Sequence, residues 1–239
     1  MNFDNIKTYL SKDPDNSLRD IRENLEIFNL KLININNLEN FSLCPDREFN
    51  MKIKPKFEKL LYYAYKLECD LITVQPSFEV REIPKWRIIR RTKKKLKILT
   101  KIAYDEDINI GFEYMSLPNS SINNLEAAKL VLQPLYSYEN LGYIIDTFYF
   151  GKNETDFEEL FEIKDHIFLI QLADFIKVSE EKLRSIDDNN REFPGMGSFD
   201  LHSFIKYTKE IYYRDFYSIE LSKNTCENDL YERYLNIIS

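Results

Sequence analysis

The sequence predicts an α/β protein of the parallel-barrel type, and three observations predict it. Helical and strand patterns alternate along the chain without exception. The strand candidates are nearly continuous apolar runs, as expected of strands buried on both faces. Alternation of this kind means β-α crossover units and a parallel sheet. No internal repeat or low-complexity linker divides the 239 residues, and their 44% hydrophobic content is enough for one sizeable core. A single domain over 1–239 is expected.

The elements follow in order. Ser17 can cap a helix through LRDIRENLEIFNL, with Leu18, Ile21, Leu25 and Phe28 on one face. Lys31–Asn36 (KLININ) reads as a strand. Lys54–Leu67 is a helix with Phe57, Leu60, Leu61 and Ala64 inward. Asp70–Gln75 (DLITVQ) is a β-rich run stopped by Pro76. A long helix covers Pro84–Tyr104, and Ile108–Tyr114 (INIGFEY) is the next strand. Asn124–Tyr136 is helical, interrupted near Pro134. Leu141–Phe150 is a strand, Thr155–Ile163 a short helix and His166–Ala173 a strand. After a long loop come a helix from Asp200 to Tyr212, the strand Phe216–Leu221 and the helix Asn228–Ile238. This gives six strands, where a complete eightfold barrel has eight in about 250 residues.

Composition removes several function classes. The formal charge of −7 is spread with acids and bases mixed, unlike the basic stripe of a dedicated nucleic-acid binder. No apolar run approaches the ~20 residues that span a bilayer. The start, MNFDNIKTYLSKD, is acidic and polar where a signal peptide has a basic end and an apolar stretch. Cys44, Cys69 and Cys226 are scattered, with no CxxC spacing. Reduced thiols in a cytoplasmic protein without nucleic-acid or membrane partners are the expectation.

In barrels of this type the chemistry lies at the C-terminal ends of the strands. Those ends carry Gln75, Glu113, Asp146, Gln171 with Asp174, and Glu220. A carboxylate in an apolar strand is costly unless it is paired or bound to a metal. Each acid taken singly could pair with a nearby Lys or Arg. Taken together at one mouth, three carboxylates and an amide oxygen make a hard, oxygen-rich site. That favours Mg²⁺ or Mn²⁺, with Zn²⁺ or Co²⁺ as alternatives.

At these residues the sequence resembles the xylose-isomerase-like TIM-barrel superfamily of sugar (phosphate) isomerases and epimerases. The segments are NIGFEYM, LGYIIDTFYF, IFLIQLADF, REFPGMGSFDL and FYSIEL, with DLITVQPSF in the first part of the chain. The resemblance implies a (β/α)8 fold and one divalent ion held by Glu113, Asp146, Gln171 and Glu220. Gln171 is similar to the glutamine of hydroxypyruvate isomerases and of bacterial 3-dehydroshikimate dehydratases. QLAD followed by R-x-FPG-x-G-x-FDL is especially similar to the dehydratases. By the same resemblance Arg191, Tyr149 and Gln75 contact substrate. Glu113 and Glu220, on opposite sides of the ring of strands, are the catalytic pair: one removes a proton next to a carbonyl and the other returns it. The metal stabilises the enediolate as a Lewis acid. The implied substrate is a small sugar or keto acid.

The sequence also departs from the family. Tyr149 stands where most relatives have His, Met196 replaces an acid or Gln, and Asn189 replaces a His of the dehydratases. His166 and His202, the only histidines, sit away from strand C-terminal ends, so a multi-metal endonuclease site is excluded. The first helix matches the family's second and KLININ its third strand, so the first two strands are absent. A start further upstream, a second copy covering the open edges, or an open non-catalytic barrel would each account for this. Three readings follow: an isomerase or epimerase, a dehydratase-like lyase, and a non-catalytic relative. The basic run Trp86–Lys97 reads as the solvated face of an amphipathic helix with Ile88, Ile89, Leu96 and Leu99 inward, or as a phosphate or RNA contact.

Overall fold

A computed structural model describes residues 14–78, 82–183 and 185–221. The expected helix Asn228–Ile238 and Cys226 lie outside the described residues. The described residues form two compact units, one within 14–113 and 129–142, the other within 114–128 and 143–221.

The first unit opens with helix α1 (Pro14–Ile27). Its first turn begins at Pro14, whose fixed φ suits that position, so Ser17 lies within the helix instead of capping it. Leu18 is buried, whereas Phe28, beyond the helix end, is exposed. Strand β1 (Ile35–Leu38) starts later than KLININ suggests. Pairing decides this: Ile35 and Leu38 align with Ile72 and Val74 of β2 (Leu71–Val74). A helical turn (Asp46–Glu48) and a π-helical stretch (Phe49–Ile53) lead into α2 (Lys54–Lys66), which buries Phe57, Leu60, Leu61 and Ala64 as expected. Helix α3 (Lys85–Tyr104) buries Ile88, Leu96 and Leu99, and also Lys95. Strand β3 (Asn109–Glu113) pairs parallel with β2 from Leu71–Asn109 to Val74–Phe112. All four β2 residues are buried, as a parallel sheet covered on both faces requires.

Helix α4 (Leu125–Leu132) ends in a 3₁₀ turn at Gln133–Leu135, where Pro134 interrupts the helix. Strand β4 (Leu141–Asp146) is wholly buried and stops earlier than expected. Asp146 ends it: its carboxylate accepts from the Phe148 N–H at 2.9 Å, capping helix α5 (Thr147–Lys152).

The second unit continues with a 3₁₀ stretch (Phe157–His166) and strand β5 (Ile167–Leu172). The two-residue strands β6 (Asp174–Phe175) and β7 (Arg191–Glu192) pair antiparallel, with the short helix α6 (Glu180–Leu183) between them. Helix α7 (Leu201–Glu210) and strand β8 (Phe216–Ile219) complete the unit. Strand β5 lies parallel to β4, aligning Asp146 with Gln171, and parallel to β8, aligning Leu172 with Ile219. Among the described residues β1 pairs with β2 alone and β8 with β5 alone, and no helix is long and apolar enough to cross a membrane.

Candidate metal and active site

The strand ends of the first unit hold a chain of amides leading to one acid. Gln75 follows β2 and lies one residue past the Val74–Phe112 pair, beside Glu113. Its Nε2 donates to Glu113 Oε2 at 2.7 Å, and its Oε1 accepts from Asn37 Nδ2. Both Gln75 and Glu113 are buried. The expected substrate contact thus orients the expected catalytic acid.

In the second unit register brings three expected ligands together. Asp146 and Gln171 are aligned neighbours on β4 and β5. Gln171 is also aligned with Ser218, and Glu220, two residues on, faces the same side of the sheet. Gln171 Nε2 donates to Glu220 Oε2, and the Glu220 N–H donates to Leu172 O at 3.0 Å. Gln171 Oε1 is buried and, among the described residues, has no hydrogen-bond partner. Burial, reinforced by the negative charge of Asp146 and only partly offset by Arg191, pushes the Glu220 carboxyl up to about 7.

Arg191 is the cation of this cluster. Its NH1 and NH2 donate to the two Asp146 oxygens at 3.1 and 2.5 Å, and its Nε donates to Asp188 Oδ1 at 3.1 Å. The pair is sealed from water, the Arg191 side chain being 4% exposed and that of Asp146 0%. Burial works against the guanidinium charge, but the Asp146 carboxylate more than offsets it and holds Arg191 above its ordinary range. The planar head lies 4.5 Å from the Phe148 ring centre and 5.1 Å from that of Tyr149. These contacts use three of its five N–H groups, leaving two for a ligand.

Tyr149 lies one helical turn after Asp146, which places it on the same face. Its hydroxyl donates to Asp188 Oδ1 at 3.0 Å. The sequence reading passed over Asp188, which joins Tyr149 to Arg191. The acidic pair Asp187–Asp188 shortly before Arg191 was the available signal. Asp187 caps the turn that presents Asp188, and buried Lys152 donates to Ile186 O from below the same loop.

Asp174 sits at a strand end but serves the backbone. Its Oδ1 accepts from the N–H of Phe175 and Phe199 at 2.8 and 2.9 Å. Its Oδ2 accepts from Gly195 and Gly197 at 3.2 and 2.9 Å. QLAD and FPGMG are therefore two halves of one structural knot. A Cβ on Gly197 would fall 2.2 Å from Phe175 O and 2.4 Å from Asp174 Oδ1. We expect Gly197→Ala to lose about 2–4 kcal/mol, read from the urea midpoint, because backbone must move. A loss under about 0.5 kcal/mol would show that this knot is loose.

The donor chemistry fits a divalent ion. Asp146, Glu220 and an otherwise partnerless amide oxygen of Gln171 supply hard oxygen donors on adjacent strands. Among the described residues no three His, Cys, Asp or Glu are already gathered as a metal cluster. The cluster instead uses Arg191 as the counter-charge to Asp146, which is the ion-pair alternative for that acid.

The model of xylose isomerase-like TIM barrels matches residues 2–235. An inosose isomerase of Bacillus velezensis is 25% identical over 220 residues, covering 92% of this chain and 76% of the relative. That of Bacillus subtilis is 25% identical over 177 residues, covering 74% of this chain and 62% of the relative. A crystal structure of an IolI protein with a bound zinc atom superposes with a TM-score of 0.89 at 23% identity. That superposition covers 100% of this chain and 87% of the other, and establishes the barrel-type fold.

Proposed function

The chain belongs to the xylose isomerase-like TIM barrel family, and from that premise we propose that it is a divalent-metal-dependent isomerase or epimerase of small polyhydroxylated ketones. The observation that carries the reading is the unpartnered Gln171 oxygen beside Asp146 and Glu220, at aligned ends of β4, β5 and β8. Inosose isomerases among the relatives support a cyclic polyol ketone as the first substrate to try, ahead of sugar phosphates and hydroxy-keto acids.

Asp146, Gln171 and Glu220 would hold the ion, with Glu113 as the fourth ligand. When bound, the ion supplies Lewis-acid polarisation of a carbonyl and the hydroxyl beside it. Glu113 and Glu220 are the proton-transfer pair in this reading, one taking a proton next to the carbonyl and the other returning it. Gln75 orients Glu113 through its 2.7 Å hydrogen bond. The two unused N–H groups of Arg191 and the Tyr149 side chain position substrate hydroxyls. Asp146, Gln171, Arg191 and Tyr149 are buried and Glu220 half-buried, and the limited access of water strengthens these contacts.

The dehydratase reading is weaker, because QLAD and FPGMG are explained by the Asp174 knot, which either activity would need. The test is incubation of purified protein with an inosose in D2O, with Mg²⁺, Mn²⁺, Zn²⁺ or no metal. The expected result is metal-dependent deuterium incorporation next to the carbonyl together with isomer formation, followed by NMR. No exchange with any cyclic or linear ketose would overturn the isomerase reading. Protocatechuate formed from 3-dehydroshikimate would replace it with the lyase.

A further inference from the structure

The chain carries a net charge of −7, yet twenty-residue α3 holds nine Lys and Arg between Lys85 and Lys101 and no acid. Solvation of an amphipathic face accounts for bases gathered on one side of a helix. It does not account for a pocket in which that face meets a single acid. Arg90, Lys93, Lys94 and Lys97 recur at helical i, i+3, i+4 and i+7 spacing, so they form one stripe. That stripe borders an open pocket of about 660 Å³, whose lining also includes Asp46, Pro134 and Leu135. Every lining residue belongs to the first unit, and none is part of the site proposed above.

The partners of these cations divide them into two sets. Arg91 donates to Leu43 O at 2.5 Å and to Cys44 O at 3.2 Å. Lys95, only 2% exposed, donates to Cys44 O and stands 4.0 Å from Asp46 Oδ1. Those two build the wall. Lys94 pairs with Asp46 at 2.8 Å. Among the described residues Arg90, Lys93 and Lys97 have no acidic partner. Arg90 lies over the Trp86 ring at 5.3 Å and Lys97 over the Tyr138 ring at 5.9 Å. Six cations and one carboxylate therefore line the pocket. Like charges at this spacing destabilise a helix by mutual repulsion. A compact anion bridging them removes that repulsion.

We propose that this cavity binds a small molecule carrying two or more clustered phosphates. Its volume falls within the roughly 300–1,000 Å³ of small-molecule pockets. Arg and Lys heads at one helix-face spacing suit adjacent phosphoryl oxygens. The apolar Pro134–Leu135 wall leaves room for an uncharged part of the ligand. A short polyanion is favoured over a nucleic acid because the remainder of this acidic chain repels a long one.

The experiment uses the full chain and tripolyphosphate, titrated calorimetrically at about 0.15 M salt. One-to-one binding is expected, weakening as salt rises. The Arg90→Gln, Lys93→Gln, Lys97→Gln triple variant should bind at least about tenfold more weakly, since three charged donors to the phosphoryl oxygens are lost. These side chains are exposed or half-exposed, and circular dichroism checks that the variant keeps its fold. Competition on the unaltered protein gives a second reading, with tripolyphosphate expected to outcompete orthophosphate by about tenfold or more. No saturable binding, or binding untouched by the triple variant, overturns the proposal in favour of a solvated helix face. Oligonucleotide binding that strengthens with length and that tripolyphosphate does not displace overturns it in favour of a nucleic-acid surface.

Discussion

Arg191→Met should cost about 3–5 kcal/mol of stability, among the largest losses of any single substitution in the described residues. The cause is the Asp146 carboxylate, which keeps its burial and loses both guanidinium donors, at 2.5 and 3.1 Å. A charge left unpaired in a dry interior costs far more than the pair contributes as a whole. The companion Asp146→Asn change in the same chain should therefore recover much of the loss. Arg191→Lys should recover little, because an ammonium cannot reproduce the two-pronged geometry or lie flat against the rings of Phe148 and Tyr149. Lys206→Ala provides the contrast: its partner Glu210 is 3.9 Å away and both side chains are well exposed, so the expected change is under about 0.5 kcal/mol. Urea midpoints for the four variants decide the matter. If Arg191→Met costs no more than Lys206→Ala, the buried pair does not organise the loop between β6 and β7.

That pair also marks how far the sequence could be read. The strands were legible because LITV, LGYIID and IFLIQL are continuous apolar runs, and burial on both faces is what such runs mean. From their ends the positions of Glu113, Asp146, Gln171 and Glu220 followed. The expected barrel fold and family resemblance are borne out by the family match and the superposition. Helix α5 was misread because TFYF is rich in residues that favour strands. A single carboxylate turned the chain there, and a cap of this kind is invisible to periodicity. The start of β1 was misplaced for a related reason. Its INNL segment has weak strand character of its own and is held by its alignment with β2. The link from Arg191 to Asp146 spans 45 residues and depends on a hairpin of two-residue strands. Two residues carry no period at all, so only the fold could join the expected substrate arginine to the expected metal ligand. Asp174 looked like a further site acid because its strand-end position is the same. Its four backbone partners, three of them beyond residue 194, are what set it apart.

Glu113→Gln and Glu220→Gln should each lower the rate of deuterium exchange next to the substrate carbonyl by about 10²–10⁴-fold, the usual contribution of a positioned acid or base. Both changes are nearly isosteric, and the neighbouring contacts survive them. A glutamine at 113 still offers an oxygen to Gln75 Nε2, and one at 220 still offers an oxygen to Gln171 Nε2. The fold should therefore hold, with a loss of under about 1 kcal/mol in either variant. The effect belongs in kcat more than in KM, since what is removed is proton transfer and not substrate contact. Metal content supplies the second readout. As an expected ligand, either glutamate replaced by an amide should weaken ion retention by at least the roughly 10–100-fold that losing a ligand's hydrogen-bond partner costs, measured by dialysis against a chelator. Gln75→Leu separates orientation from chemistry, because it leaves Glu113 ionisable but removes its 2.7 Å donor. It should slow exchange by less than Glu113→Gln does. Parental exchange rates in both glutamate variants would show that proton transfer does not pass through these two carboxyls. The pairing of Glu220 with Gln171 would then serve the closing of β8 onto β5, a structural role that needs no turnover.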